Sequence, residues 1–399
     1  MNNNPFASLE QELPAPNVGA RLRVARETAG LTQADAASSI DIARTTLVAI
    51  EKGQRRIRAD ELQKLARRYH TSVNALLRHE SVCIDLVPRF RKLSTVSNHA
   101  TDNAARLLAD LVQAEVELEN TLGITRTRND PPERPLMPGD VHAQAETNAT
   151  ELRHWLGLGL APVRDLVSLL ELDLGVRVYV RPLDSQVSGL FAYDEEVGAC
   201  MLLNANHPHE RRTQTGGHEL GHFSASRKKP DVLHSNEQES SREERYAHAF
   251  ARAFLTPAHT VGHRFRDLTA GAAHLTRRHV ILLAHTFGIS REAMVRRLEE
   301  LGLTKPGTWD WFQANGGITD EQARQVLGDL AAVDTGKMEA ERPTTLRLNL
   351  LAAEAWRKGL LSEGQLARLL RLSRVELREI LDDVEIEEVE ADGISKLPH

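Results

Sequence analysis

The stretch Gly216-Gly217-His218-Glu219-Leu220-Gly221-His222-Phe223 constrains this chain more than any other. His-Glu-x-x-His on a helix sets two imidazoles one turn apart on one face, where both can bind a single zinc ion. The glutamate between them is then placed to act as general base on a metal-bound water. Neutral imidazoles leave the ion enough positive charge to acidify that water, and a carboxylate must sit within reach of the proton it gives up. With 17 histidines in the chain, the alternative is a chance match on a charged surface helix. The flanks argue against it. They are Gly216, Gly217, Leu220 and Phe223 rather than a solvated charge run, and a glycine inside a helix costs ~1 kcal/mol relative to alanine. Glycines kept at that cost predict close packing against another element.

A tetrahedral catalytic site needs a third protein ligand, with the fourth position left to water. The longer pattern with a further histidine six residues on is absent, Lys228 standing in that place. Residues 240–257 read as a second helix, with Ala247, Phe250, Ala251, Phe254 and Leu255 as its apolar stripe, a serine to cap its start and Pro257 to end it. Glu243 and Glu244 both lie within a turn of that stripe, and spacing alone does not choose between them. Either one also suits the first turn of a helix for its dipole alone.

On these residues, the segment 187–257 resembles the ImmA/IrrE family of metallopeptidases. It has a strand pair ending in Leu202-Leu203-Asn204, then His-Glu-Leu-Gly-His, then Glu-x-x-Ala-x-x-Phe-Ala-x-x-Phe-Leu-x-Pro. The resemblance implies a gluzincin-like zinc site in which the glutamate three before the alanine, Glu244, joins His218 and His222, with Glu219 catalytic. Two departures stand out: Gly216 and Gly217 replace the usual apolar residue and alanine, and His248 replaces the common Asn or Asp. Neither touches a ligand, so they bear on substrate fit. Two histidines and a carboxylate favour Zn2+ over manganese.

The amino-terminal part follows a different pattern. Asn17 caps a helix over 17–28 with Val18, Leu22 and Ala25 inward, and Gly30 stops it. Thr32 caps a short helix over 33–39, Asp41-Ile42 turn into a helix over 43–52, and Gly53 ends that. Further helices are expected over 59–69 and 72–77. Five short helices with this turn resemble a Cro/repressor-type (XRE) helix-turn-helix domain. Gly30-Leu31-Thr32-Gln33, Ala37, Leu47, Ile50-Glu51-Lys52-Gly53, Leu62, Leu65 and Ala66 are all in place. Residues 17–79 hold twelve Lys and Arg against six Asp and Glu, +6 in a chain whose formal charge is −6. A basic module in an acidic chain is the footprint of phosphate contact. Arg44, Thr45 and Ala49 should face base edges, while Thr46, Arg55, Arg56 and Arg58 are candidates for the DNA backbone. Gln33 either touches phosphate or braces the recognition helix. Glu51 is expected to pair with an arginine of the first helix. Such modules bind as dimers on paired half-sites.

The remaining segments are less specific. Residues 80–140 read as a helical extension and a linker. The stretch 83–97 is irregular, and 103–122 is an amphipathic helix for either a dimer contact or packing on the peptidase. The stretch 125–140, with Pro131, Pro132, Pro135 and Pro138, is an extended linker. Residues 141–333 are expected to form the peptidase domain, with helices over 145–156 and 162–170, a strand over 176–180 and a hairpin of 189–193 with 200–204. A sheet beside the metal helix suits a peptidase, because an edge strand holds an extended peptide by backbone pairing. Asn204, Tyr246 and His248 are candidate oxyanion or substrate contacts, although turn formation, packing and exposure explain them as simply. Residues 279–301 imitate a second helix-turn-helix and are read as peptidase core. Residues 334–344 form a linker to a helical module over 345–399. Its acidic end (Asp382, Asp383, Glu385, Glu387, Glu388, Glu390 and Asp392) would repel phosphate, which predicts a protein-contact or autoinhibitory role.

The expected fold class is therefore mainly α with a small β-sheet (α+β). Hydrophobic and charged fractions of 41% and 27% are those of an ordinary soluble protein. Two cysteines, Cys83 and Cys200, give no disulfide framework. The first residues lack a signal-peptide pattern, and no run approaches a membrane span, so a cytoplasmic protein is expected. The order of parts resembles XRE-ImmA regulators. That resemblance implies peptidases that relieve repression, often after DNA damage or other stress, by cutting an XRE-type repressor. The expected partners are a double-stranded DNA operator, a protein substrate (this chain or an XRE-type repressor) and single-stranded DNA as inducer, with the protein a homodimer. Residues 83–97 and 125–140 are candidate cut regions. The alternatives are a transcription factor whose peptidase-like domain is a non-catalytic sensor, and a peptidase acting on a separate protein while the DNA module positions it.

Overall fold

The computed structural model describes residues 15–69, 71, 73, 76, 99–227, 231–234, 241–328 and 344–386. It divides into two compact units, residues 1–83 and 84–399. It is mostly helical with one small sheet, as the patterning predicts.

In the first unit, α1 (Ala15–Thr28), α2 (Gln33–Ser38), α3 (Arg44–Glu51) and α4 (Ala59–Arg68) enclose Leu22, Ala37, Leu47, Ile50, Leu62 and Leu65. Thr32 and Asp35 form a capping box at the start of α2. Asp41 turns the chain into α3 at φ 58°, a left-handed conformation that aspartate tolerates better than most residues. α1 crosses the end of α3 so closely that a Cβ at Gly19 would lie 2.2 Å from the Ile50 carbonyl oxygen. The predicted fifth helix over 72–77 falls mostly outside the described residues.

The second unit is built on a four-stranded sheet in the order β1-β3-β2-β4. β1 (Arg177–Arg181) runs parallel to β3 (Gly198–Asn204), and β2 (Val187–Asp194) pairs antiparallel with both β3 and β4 (Asp231–His234). The hairpin stands where the alternation places it; β4 was not foreseen. Strand alternation sends side chains to opposite faces. Val178, Phe191, Met201 and Leu203 join Leu220 and Phe223 in one core on the side of the metal-motif helix, α7 (His209–Ser226). From the opposite face, Arg177 and Tyr179 reach Glu119 and Glu115 on α5 (His99–Leu122). That helix thus packs on the sheet, one of its two expected roles. Against α7 lies α8 (Arg242–Leu255), and against α8 lies α6 (Val141–Trp155). The helix predicted over 162–170 starts later: one turn at Leu166–Ser168 runs into a π-helical turn, Leu169–Asp173.

Two segments are tied to the second unit. The proline-rich stretch 125–140 runs without helix or strand and is laid along it. Asn129 N donates to Leu174 O (3.2 Å) and Arg134 N to Ser224 O (2.8 Å). Arg242 donates to the carbonyls of Met137 and Gly139. Prolines lack N–H groups but keep carbonyl acceptors, and Arg227 takes up that of Pro131. The other is the carboxy-terminal module, which follows α12 (Thr308–Ala314) and α13 (Asp320–Leu327) as α14 (Leu346–Arg357), α15 (Glu363–Leu369) and α16 (Arg374–Ile386). It packs on α5, and Arg181 donates to Leu370 O at 2.8 Å. Its first residues, Thr344, Thr345, Leu346 and Asn349, also line a pocket with His209, Arg212 and Thr213 at the start of α7. The acidic residues beyond 386 lie outside the described residues, as do 83–97. Residues 279–301 fall on α10 (Arg277–Phe287) and α11 (Arg291–Glu300), which follow α9 (Ala258–Leu268). Leu283, Phe287, Met294 and Leu298 join the core of α7 and α8, as their reading as peptidase core requires.

Candidate metal centre and nucleic-acid interface

The glycines of the metal motif set the distance between its two helices. A Cβ on Gly217 would meet Ala251 Cβ at 3.3 Å, and one on Gly221 would meet Ala247 Cα at 3.1 Å. α7 and α8 therefore pack almost backbone to backbone, the close contact that glycines in a helix predict. Short histidine and glutamate side chains then meet across the gap.

His218 Nε2 and His222 Nε2 lie 3.1 Å apart. Glu244 on α8 sets Oε2 at 3.3 Å from His218 Nε2 and Oε1 at 3.3 Å from His222 Nε2. Four ligands at ~2.0–2.1 Å in a tetrahedron have edges of roughly 3.3–3.4 Å; the two imidazoles, and each imidazole with one oxygen of Glu244, stand close to that spacing. Between Glu243 and Glu244, the geometry selects Glu244. Ser241 caps α8 through the Glu244 N–H, which fixes the turn that carries this carboxylate. Burial pushes the Glu244 carboxyl up, but hydrogen bonds from His218 and His222 outweigh it and hold the group well below the ordinary carboxylate range. Glu219 is fully buried beside the pair.

The three candidate contact residues separate. His248 is half-buried, and its ring centroid is 4.4 Å from that of His218. Burial, then the neighbouring His218, push its pKa down to about 4. Tyr246 is buried, and its hydroxyl accepts a bond from Asn148 Nδ2 at 2.8 Å, so it serves the contact between α8 and α6. Asn204 is fully buried, and its amide is committed to Leu183, Asp184, Val187 and Asn206, which orders the strand end.

In the first unit, Arg44 and Thr45 are exposed on α3, Thr46 and Ala49 are half-buried on it, and Leu47 and Ile50 point inward. Arg26 Nε pairs with Glu51 at 2.6 Å in the interior, the predicted partnership. Gln33 Nε2 donates to the same carboxylate at 2.9 Å, so Gln33 braces α3. Arg56 is exposed. Arg55 and Arg58 share Glu61, at 3.0 and 3.1 Å. This buried acceptor, Glu61, was not singled out in the sequence, although its place three residues after Arg58 in a first helical turn is a capping signal.

A helix-turn-helix unit and a two-helix metal motif under a small sheet define a DNA-binding protein with a peptidase-like domain. Comparison with known proteins agrees. Residues 22–76 match the family model of a helix-turn-helix domain (HTH_3), and residues 172–299 match that of the IrrE N-terminal-like domain (Peptidase_M78). The chain thus has the XRE-ImmA order of domains. No curated protein matches it. Solved structures similar to it include PlcR of Bacillus thuringiensis in complex with the peptide PapR7 and DNA. That match has 11% identity and a TM-score of 0.17 and covers 96% of this chain and 100% of that one. Another is ComR from Streptococcus suis, at 13% identity and a TM-score of 0.16, covering 95% and 96%. TM-scores this low carry no conclusion about this chain. Among the described residues, no helix is long and apolar enough to cross a membrane.

Proposed function

We propose that this chain is a DNA-binding repressor whose second unit is a zinc-dependent endopeptidase. It cuts the chain itself, a second copy or a separate XRE-type repressor in a stress or DNA-damage response, with single-stranded DNA as a candidate inducer. The observation that carries this reading is the convergence of His218, His222 and Glu244 at 3.1–3.3 Å, with Glu219 buried alongside. His218, His222 and Glu244 would hold the ion. When bound, zinc supplies Lewis acidity, which acidifies water and polarises a carbonyl. Glu219 accepts the proton of the attacking water and returns it to the leaving nitrogen, the two halves of general acid–base catalysis. The backbone of β2 runs against Glu219: a Cβ at Gly189 would stand 3.3 Å from Glu219 Oε1. β4 is the sheet edge on that side, suited to pairing with an extended peptide.

In the first unit, Arg44, Thr45 and Ala49 face base edges and Thr46, Arg55, Arg56 and Arg58 face phosphates, in a homodimer on paired half-sites. Of the two candidate cut regions, 125–140 has backbone groups of Asn129, Arg134, Met137 and Gly139 engaged by the second unit, which favours 83–97.

The test is the intact mass of wild type and Glu219→Gln after incubation with zinc and single-stranded DNA. Discrete fragments from wild type alone are expected. No fragments in either protein, with an unaltered partner repressor in the same mixture, would leave the domain a sensor and the catalytic reading wrong.

A further inference from the structure

Two pairs of residues four apart face each other across the metal motif: His218 and His222 on α7, and Glu244 and His248 on α8. Residues four apart on a helix share a face, so the turn that aims Glu244 at the imidazoles aims His248 the same way. Its ring centroid lies 4.4 Å from that of His218, nearer than the 4.8 Å between the centroids of His218 and His222. One donor atom from each of His218, Glu244 and His248 can be chosen so that all three lie within 4.8 Å of one another. His222, with its Nε2 3.1 Å from that of His218 and 3.3 Å from Glu244 Oε1, is a further donor beside the same two residues, so the motif offers one donor more than the three of a catalytic zinc centre. Structural zinc sites are closed by a fourth protein ligand, and catalytic ones leave that position to water.

We propose that His248 is a fourth metal ligand, which closes the centre in the resting protein and must swing away before a water can take its place. This rests on the zinc reading above and adds a latch to it. The three other donors are fixed by the contact between α7 and α8. His248 is half-buried, and rotation of its side chain would open the site without moving either helix. Such a latch would let a repressor carry an intact peptidase on the same chain without destroying itself.

The full-length protein loaded with Co2+ provides a test that does not depend on cleavage. With four protein donors, the wild-type cobalt absorption bands should stay unchanged on titration with azide, a small anion that binds open metal positions. In His248→Ala and His248→Asn the bands should shift with azide, and Co2+ affinity should fall about tenfold or more, the lower end of what even outer partners of a metal site cost. Far-ultraviolet circular dichroism shows whether each variant is folded. The wild-type titration needs no variant: an azide-induced shift there means an open site and overturns the proposal. Equal affinity and equal azide response in wild type and both variants would also overturn it. If the wild type takes up no Co2+ at all, the zinc reading itself fails, a result distinct from an open but occupied site.

Discussion

Glu243 and Glu244 are neighbours of the same type, and only one of them meets the imidazoles. One residue is a rotation of about 100° on a helix, because a turn takes 3.6 residues. The serine cap that receives the Glu244 N–H therefore decides which acid faces α7. Exchanging each acid for its amide tests this directly. Glu244→Gln removes a charged donor and should lower zinc affinity by at least the 10–100-fold that outer partners of a metal site are worth. Glu243→Gln should change it by less than about twofold, within the scatter of surface substitutions. Competition with a chromophoric chelator measures both, and similar losses would refute the assignment of Glu244. Spacing alone does not separate the two acids, because both lie within a turn of the apolar stripe; the resemblance points to Glu244, and it is Glu244 that stands 3.3 Å from both imidazoles. For Gln33 the sequence likewise allows either phosphate contact or bracing. Its 2.9 Å bond to Glu51 could not be read from a string in which the two stand eighteen positions apart.

Helices α7 and α8 show how far local pattern carries. The metal motif, the serine cap and the apolar stripe all announce helices, and the glycines announce that something lies against them. What lies there is Ala247 and Ala251, small residues on the facing stripe. Gly221→Ala sets two effects against each other. Alanine favours the helix by ~1 kcal/mol over glycine, but its Cβ would stand 3.1 Å from the Ala247 backbone and push the helices apart. Glu244 rides on one helix and His222 on the other, so this variant should stay folded yet bind zinc about tenfold more weakly. Gly221→Val should do worse. A variant with unchanged affinity would show that the helix spacing does not set the site. β4 shows the opposite case: four residues, Asp231–His234, give too short a run for period-two alternation to be recognised. The docking of the proline-rich segment is hidden from the sequence for a related reason. Its composition describes a chain without regular structure, and such a chain can still be docked through its carbonyls.

Across the whole second unit, a buried charge cluster ties the carboxy-terminal module to the sheet. Arg177 pairs with Glu119 at 2.7 Å and Glu115 at 3.2 Å, Arg126 pairs with Glu115, and Arg347 from α14 lies 2.7 Å from both acids. Its members come from positions 115 to 347, so no window of sequence displays it. Breaking one partner of a buried ion pair costs about 3–5 kcal/mol, because the other charge is left uncompensated. Arg347→Ala should therefore loosen α14 and raise amide exchange over 346–357, while zinc affinity on the other sheet face holds. The cluster also sets a pH limit. Burial pushes the Glu115 carboxyl up, but Arg177 and Arg126, with Tyr179 and Arg347, hold it below its ordinary value. A carboxyl depressed in the folded state contributes stability that is complete above its unfolded pKa, about 4.3. That contribution is lost as pH falls through the folded value. Glu171, which accepts from Thr345 and the Arg347 N–H, runs the other way: burial raises it, so its contribution fades as pH rises through its folded value. Protection of 346–357 should thus collapse in acid below about pH 4, and Glu115→Gln should weaken it at neutral pH and flatten that acid loss. Protection that ignores both pH and Arg347 would mean that apolar packing alone holds the module, with the charges as passengers.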